Sequence, residues 1–156
     1  MSAPATEIST DTLIAALDTP YTDFSAVLRK IDLDAPIAAP GDWTPRQVLS
    51  HVIGALHLTP VQGGYFLAKA KLVPIAFSDP YWISAWETAP REGFDAALLS
   101  ETEGNKAFVR SLTPEMLMRA APASGFGVMP SGAFLRVSYH GHIYQQHLPQ
   151  LSAYLR

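Results

Sequence analysis

Cysteine is absent from the 156 residues. That excludes disulfides, thiolate metal ligands and a cysteine nucleophile, and it accords with a reducing compartment. Charge is scarce: Asp, Glu, Lys and Arg make up 16% of the chain, against about 25% in an average globular domain. Because 48% of the residues are apolar, a disordered or heavily solvated chain is excluded too. Eleven Lys and Arg face 14 Asp and Glu, with no basic run, so no nucleic-acid partner is expected. No apolar run approaches the ~20 residues of a membrane span. The opening MSAPATEIST has no basic stretch followed by an apolar one, so no secretory leader is expected there. These absences predict a cytoplasmic protein that neither enters membranes nor binds nucleic acid. Clean two-residue alternation is missing as well, and strands are not expected.

Proline is plentiful, with 13 residues spread along the chain where about 5% is usual. With the glycines it divides a single domain, residues 1–156, into four long segments. The first runs from about Ser9 to Ile31. Leu13, Ile14, Leu17, Phe24, Val27, Leu28 and Ile31 recur at helical spacings, and Thr19-Pro20 predicts a break. The second opens on Thr44-Pro45-Arg46-Gln47, a capping box with proline at the first helical position, and Trp43 can staple onto Val48. This helix is expected from Pro45 to about Ala70, kinked where Pro60 has no N–H for the Leu56 carbonyl. A loop with Pro74, Asp79 and Pro80 follows. The third segment ends near Leu112 and carries Phe94, Leu98, Glu101, Asn105, Phe108 and Leu112 on one stripe. A short turn from Thr113 to Met118 and a loop over residues 121–132 lead to the fourth segment. It runs from about Ser131 to Arg156, with Val137, His140, Tyr144, His147, Leu151 and Tyr154 in line. Four amphipathic helices bury their stripes as an all-α, antiparallel four-helix bundle.

All five histidines fall on two of these helices: His51 and His57 on the second, His140, His142 and His147 on the fourth. Imidazole is the commonest metal ligand, and bundle interiors hold metals between facing helices. A catalytic site needs three protein ligands and one open position. Ligands sharing a helix normally stand three or four residues apart. Here position 143 is isoleucine. His140 and His147 share a face but lie about 10.5 Å apart along an ideal axis. His142 and His147, five apart, would meet only on an i→i+5 helix. Gly141 and Pro149 weaken the regular ladder nearby. Histidines hydrogen-bonded in the core are the competing reading.

The segment Trp43-Thr44-Pro45-Arg46-Gln47-Val48-Leu49-Ser50-His51 resembles the W-[ST]-P-x-x-[VL]-L-x-H element of the DinB/YfiT-like superfamily. Residues 142–151, HIYQQHLPQL, resemble its closing H-x-x-Q-[IL] element. Phe77-Ser78-Asp79-Pro80-Tyr81-Trp82 and Leu112-Thr113-Pro114-Glu115 fit the same layout, so the resemblance spans nearly the whole chain. It implies a four-helix bundle holding a divalent metal, nickel or zinc, on three histidines. It further implies a metal-dependent hydrolase, or a thiol-dependent S-transferase or isomerase, and a homodimer. His51 matches the first ligand and His147 the last. The middle ligand departs from the pattern: Ile143 occupies its place, leaving His142 or His140 as substitute, or a site without metal.

Among the remaining residues, Glu101 is a candidate partner for a histidine or a general base, although a slight rotation of its helix would put it at the rim. Tyr144 is a candidate donor to a developing oxyanion, or a hydrogen-bonded core tyrosine. Arg46 is expected in solvent. Ser50 and His51 are adjacent on a helix and point apart, so no Ser–His dyad is expected. Gly63-Gly64 has no phosphate-binding context. Phe77, Tyr81, Trp82 and Trp86 are expected to pack on the bundle, or else to line a pocket mouth or dimer contact. The leading expectation is a metal-dependent enzyme acting on a small molecule, any thiol being supplied by a small molecule. The alternative is a metal-free bundle that binds a small apolar ligand or dimerises.

Overall fold

Ser9 and Thr12 cap one another's backbone groups at the start of α1 (Thr10–Leu28). Thr44 and Gln47 do the same for α2 (Pro45–Lys69): the Thr44 N–H donates to Gln47 Oε1 and the Gln47 N–H to Thr44 Oγ1, as the sequence predicts. The computed structural model describes residues 8–39, 41–69, 79–123 and 126–155. The chain continues through α3 (Asp79–Trp86), α4 (Arg91–Arg110) and α5 (Pro114–Met118). A two-stranded antiparallel hairpin follows, β1 (Ala120–Ala123) with β2 (Gly127–Pro130). The last long helix has three parts: α6 (Ser131–Arg136), a π-helix (Val137–His147) and α7 (Leu148–Ser152).

Four of these elements make the bundle. α1 packs on α4 and on the π-helix, and α2 packs on the same two, so α1 and α2 lie diagonally. Arg91, at the start of α4, donates to the carbonyls of Leu28 and Ile31 at the end of α1, and Lys106, late in α4, pairs with Asp18. Those contacts make α1 and α4 antiparallel. The start of α2 likewise meets the end of the π-helix, where the rings of His51 and His147 lie 4.5 Å apart. The core of Leu13, Phe24, Leu49, Ile53, Phe94, Leu98, Tyr139 and Ile143 lies between the four. No described helix is long and apolar enough to cross a membrane.

Several expectations are corrected. α1 runs through Pro20 unbroken. Residues 79–86, read as loop, form α3, with Asp79 at its first turn and Pro80 next, a start signal that only a short helix follows. The loop at 121–132 contains the hairpin. The buried stripe of α4 is Phe94, Leu98, Thr102, Asn105 and Val109; Thr102 and Val109 take the places expected of Glu101 and Phe108, which leaves Glu101 at the rim. Arg46 is not solvated: it pairs with Asp34, donates to the Ala89 carbonyl and lies over the Phe94 ring. Phe77 and Pro74 lie outside the described residues.

Asn105 resolves the defect that Pro60 creates. Its Nδ2 donates to the Leu56 carbonyl at 2.8 Å, which stands in for the N–H that Pro60 lacks. The same amide donates to the Glu101 carbonyl, and its Oδ1 accepts from the Tyr139 hydroxyl at 2.8 Å. Burial pushes the Tyr139 phenol up, so it remains a donor. Asn105→Leu is expected to cost about 2–4 kcal/mol, because it leaves a buried carbonyl and a buried hydroxyl unpaired. In a Pro60→Ala background the helix supplies its own N–H, and the loss should shrink by about 1 kcal/mol. Urea denaturation of the double-mutant cycle measures both, and simple additivity would refute the link.

Candidate metal centre

His51 is nearly two turns into α2, whose start is fixed by the cap at Thr44. His142 and His147 lie five apart on the π-helix, and the i→i+5 ladder that defines it places them on one face. His51 Nε2 is 3.3 Å from His142 Nε2, and His147 Nε2 is 3.1 Å from the same atom. The ligand-capable atoms of all three fall within 4.8 Å of one another. His51 and His147 are buried, and His142 is half-buried.

Each outer histidine is oriented by a partner. His51 Nδ1 donates to Asp79 Oδ1 at 2.7 Å, and His147 Nδ1 donates to Gln150 Oε1 at 2.7 Å. A neutral imidazole carries one N–H, so both Nε2 atoms present lone pairs to His142. His142 Nε2 has one proton or one lone pair and can satisfy at most one of them as a donor. Three converging lone pairs are the donor set of a cation. A tetrahedral ion at the usual ~2.0–2.1 Å has ligand nitrogens about 3.3–3.4 Å apart, close to the two distances found. The residues present therefore fit a divalent metal, with a fourth position left open.

Burial and the neighbouring imidazoles favour the neutral forms of His142 and His147. Desolvation lowers His142, and the charge of His51 lowers it further. Desolvation lowers His147 to about 4, against the raising effect of Gln150. Neutral imidazole is the form that binds a metal. Trp43 covers one side, stacked on His147 at 6.1 Å and edge-on to His51 at 4.8 Å.

The other candidates lie elsewhere. His140 is 5.5 Å from the Tyr144 ring and outside the three-histidine group. Tyr144 donates to Asp23 on α1 at 2.8 Å, and that bond raises its pKa. Two residues on from His142, it faces α1 and not the histidines, so the oxyanion-donor expectation does not fit this geometry. Glu101 does partner a histidine, but it is His57, at 3.0 Å and half-exposed. Ser50 donates to the Arg46 carbonyl, away from His51. Ile143 is in the core.

The sequence pattern assigns no site role to Asp79 or Gln150. Gln150 is one helical turn past His147, a spacing the sequence displays. Asp79 is 28 positions from His51, and nothing local links them. The link is α3. A Cβ at Gly54 would lie 2.7 Å from the Trp82 ring, so that glycine admits Trp82 against α2, beside His57. Trp82 seated there carries Asp79, three residues before it, toward His51. Trp82 and Trp86 thus pack on the bundle, the latter against Phe94.

No protein-family model and no curated protein matches the sequence. Among solved structures the chain is similar to YfiT from Bacillus subtilis, described as a probable metal-dependent hydrolase with an unusual four-helix bundle topology. Identity is 21%, coverage 97% of this chain and 92% of that one, and the TM-score 0.70. An uncharacterised protein from Clostridium difficile 630 is similar at 12% identity, with coverage of 93% and 94% and a TM-score of 0.72. The chain has the YfiT-like fold. Identity this low speaks for the fold alone; what the YfiT-like bundle does here rests on its own residues.

The lowered His147 makes a signed prediction. The unfolded histidine titrates near 6.5 and the folded one near 4, so the unfolded state binds more protons between them. Its contribution to stability is complete above about pH 6.5 and is lost as pH falls toward 4. Chelator-treated protein should lose urea resistance between pH 7 and 4.5, and His147→Gln should lose less over that range. Equal losses would show that His147 is not held neutral by burial.

Proposed function

We propose that this protein is a metal-dependent hydrolase whose divalent ion is held by His51, His142 and His147. The convergence of three imidazole Nε2 atoms, two of them fixed as lone-pair donors by Asp79 and Gln150, carries the reading. Three protein ligands with an open position are the mark of a catalytic site, whereas structural ions are closed by four. The description of YfiT as a probable metal-dependent hydrolase supports it. Nickel and zinc both suit an all-imidazole set.

Hydrolysis adds the oxygen of water to an acyl carbon, breaks the bond to the leaving group and gives that group a proton. A bound divalent ion supplies Lewis acidity and brings the pKa of water to near 7. The chain's own residues supply placement. Asp79 fixes the tautomer and tilt of His51, and Gln150 those of His147. Trp43 keeps bulk water from one side of the cluster. A cleft of about 270 Å³ opens on His51 and His142. The related reading, transfer to a small-molecule thiol, uses the same open position and is separated by assay with and without added thiol.

Tag-free protein should hold about one nickel, zinc or similar ion per chain by mass spectrometry. His51→Ala, His142→Ala and His147→Ala should each remove it while circular dichroism stays helical. Absence of metal after incubation with divalent ions would overturn the proposal in favour of a metal-free ligand-binding bundle. Asp79→Asn should weaken metal affinity by about 10–100-fold with the fold intact. Gly54→Ala should weaken it in the same sense by displacing Trp82, as titration with a competing chelator would show.

A further inference from the structure

The cleft beside the histidines is lined by His51, Ala55, Leu58, Thr59 and Gln62 of α2 and by Ser138 and His142 of the π-helix. Among the described residues no Asp, Glu, Lys or Arg contributes to that lining. The two hydroxyls are already engaged: Thr59 donates to the Ala55 carbonyl at 2.8 Å and Ser138 to the Phe134 carbonyl at 3.1 Å. Gln62 is different. Its side-chain amide has no hydrogen-bond partner among the described residues, and it offers both donors and an acceptor to whatever enters. Gln62 stands 11 positions beyond His51, three turns or about 16 Å along an ideal helix. Ala55 and Leu58 lie between them. The cleft is thus a trough with the imidazoles at one end, an apolar floor, and at the other the Gln62 amide, which has no partner among the described residues.

From this arrangement we infer the substrate class: an elongated, uncharged acyl ester or amide, apolar along its middle, with a neutral polar tail that Gln62 hydrogen-bonds. The reacting end rests on the hydrolase reading; the tail recognition does not. A charged tail would be desolvated against a wall with no counter-ion, which is costly unless a partner is present. A neutral amide or hydroxyl tail finds in Gln62 a partner of matching chemistry. An alkyl tail would leave the Gln62 amide covered and unpaired. Gln62 is therefore a specificity determinant and takes no part in the bond-breaking step.

The test uses p-nitrophenyl esters of one chain length that differ only at the far end: carboxamide, methyl, carboxylate and ammonium. The zinc-loaded protein should favour the carboxamide ester over both charged esters by about 10-fold or more in kcat/KM, because a charged tail is desolvated there without a counter-ion. Gln62→Leu should erase the preference for carboxamide over methyl, chiefly through KM, by weakening the carboxamide ester and improving the methyl ester, whose tail no longer covers an unpaired amide. The second arm needs no turnover. In ¹⁵N-labelled wild-type protein, metal-free or loaded, the side-chain amide signal that Gln62→Leu deletes should shift with hexanediamide and stay still with 1,6-diaminohexane. A shifting signal without ester hydrolysis would overturn the hydrolase reading and leave the trough assignment standing. A signal that stays still with hexanediamide, or equal rates for neutral and charged tails, would overturn the trough assignment itself.

Discussion

Residues five apart share a face on the last long helix, and the candidate site depends on that register. On an α-helix His142 and His147 would diverge by about 140°; on the π-helix from Val137 to His147 their Nε2 atoms are 3.1 Å apart. The i→i+5 ladder is rare and poorly stabilised by itself, so the surroundings must hold it. Tyr139 and Ile143 anchor its core side, the former through its hydroxyl to Asn105. Pro149 ends it, since it has no N–H with which to continue either ladder. The same register turns Tyr144 and His140 to the α1 side of the helix, which is why two plausible site residues are not at the site.

Backbone irregularity recurs across this bundle, and side chains from neighbouring helices answer it. Pro60 frees the Leu56 carbonyl, and Asn105 supplies the donor. Because Asn105 also accepts from Tyr139, one buried amide connects the defect in α2 to the π-helix that carries two of the histidines. A fully satisfied buried network of this kind specifies the packing of its helices, since a shift of any one strands a polar group. It ties α2, α4 and the π-helix together next to the point where α2 and the π-helix must present their imidazoles.

Orientation of the imidazoles comes from outside the bundle core as well. α3 has no buried residue among its eight, yet it delivers Asp79 to His51 because Trp82 fits against Gly54. Gln150 is delivered by α7, directly after the π-helix. Two short elements thus set which nitrogen of each outer histidine carries the proton, and with it where the lone pairs point. Burial then keeps His142 and His147 unprotonated.

The sequence by itself determined the helices that local chemistry governs. The Thr44–Gln47 box, the Thr113 side chain that accepts from the Met116 N–H at the start of α5, and the apolar spacing of the first segment act within a few residues, and each is found where the residues put it. The DinB/YfiT-like layout of His51 and His147 was legible too, and so was the need for an i→i+5 step if His142 was to join them. Tertiary structure decided the rest. Pro20 does not break α1 because packing on α4 and the π-helix outweighs one lost hydrogen bond. Glu101 sits at the rim because α4 turns Thr102 and Val109 inward in place of Glu101 and Phe108, a small rotation that residue types alone do not register. The choice of His142 over His140, and the meeting of Asp79 with His51 across 28 positions, depend on contacts between elements distant in sequence, whose energies no local pattern contains.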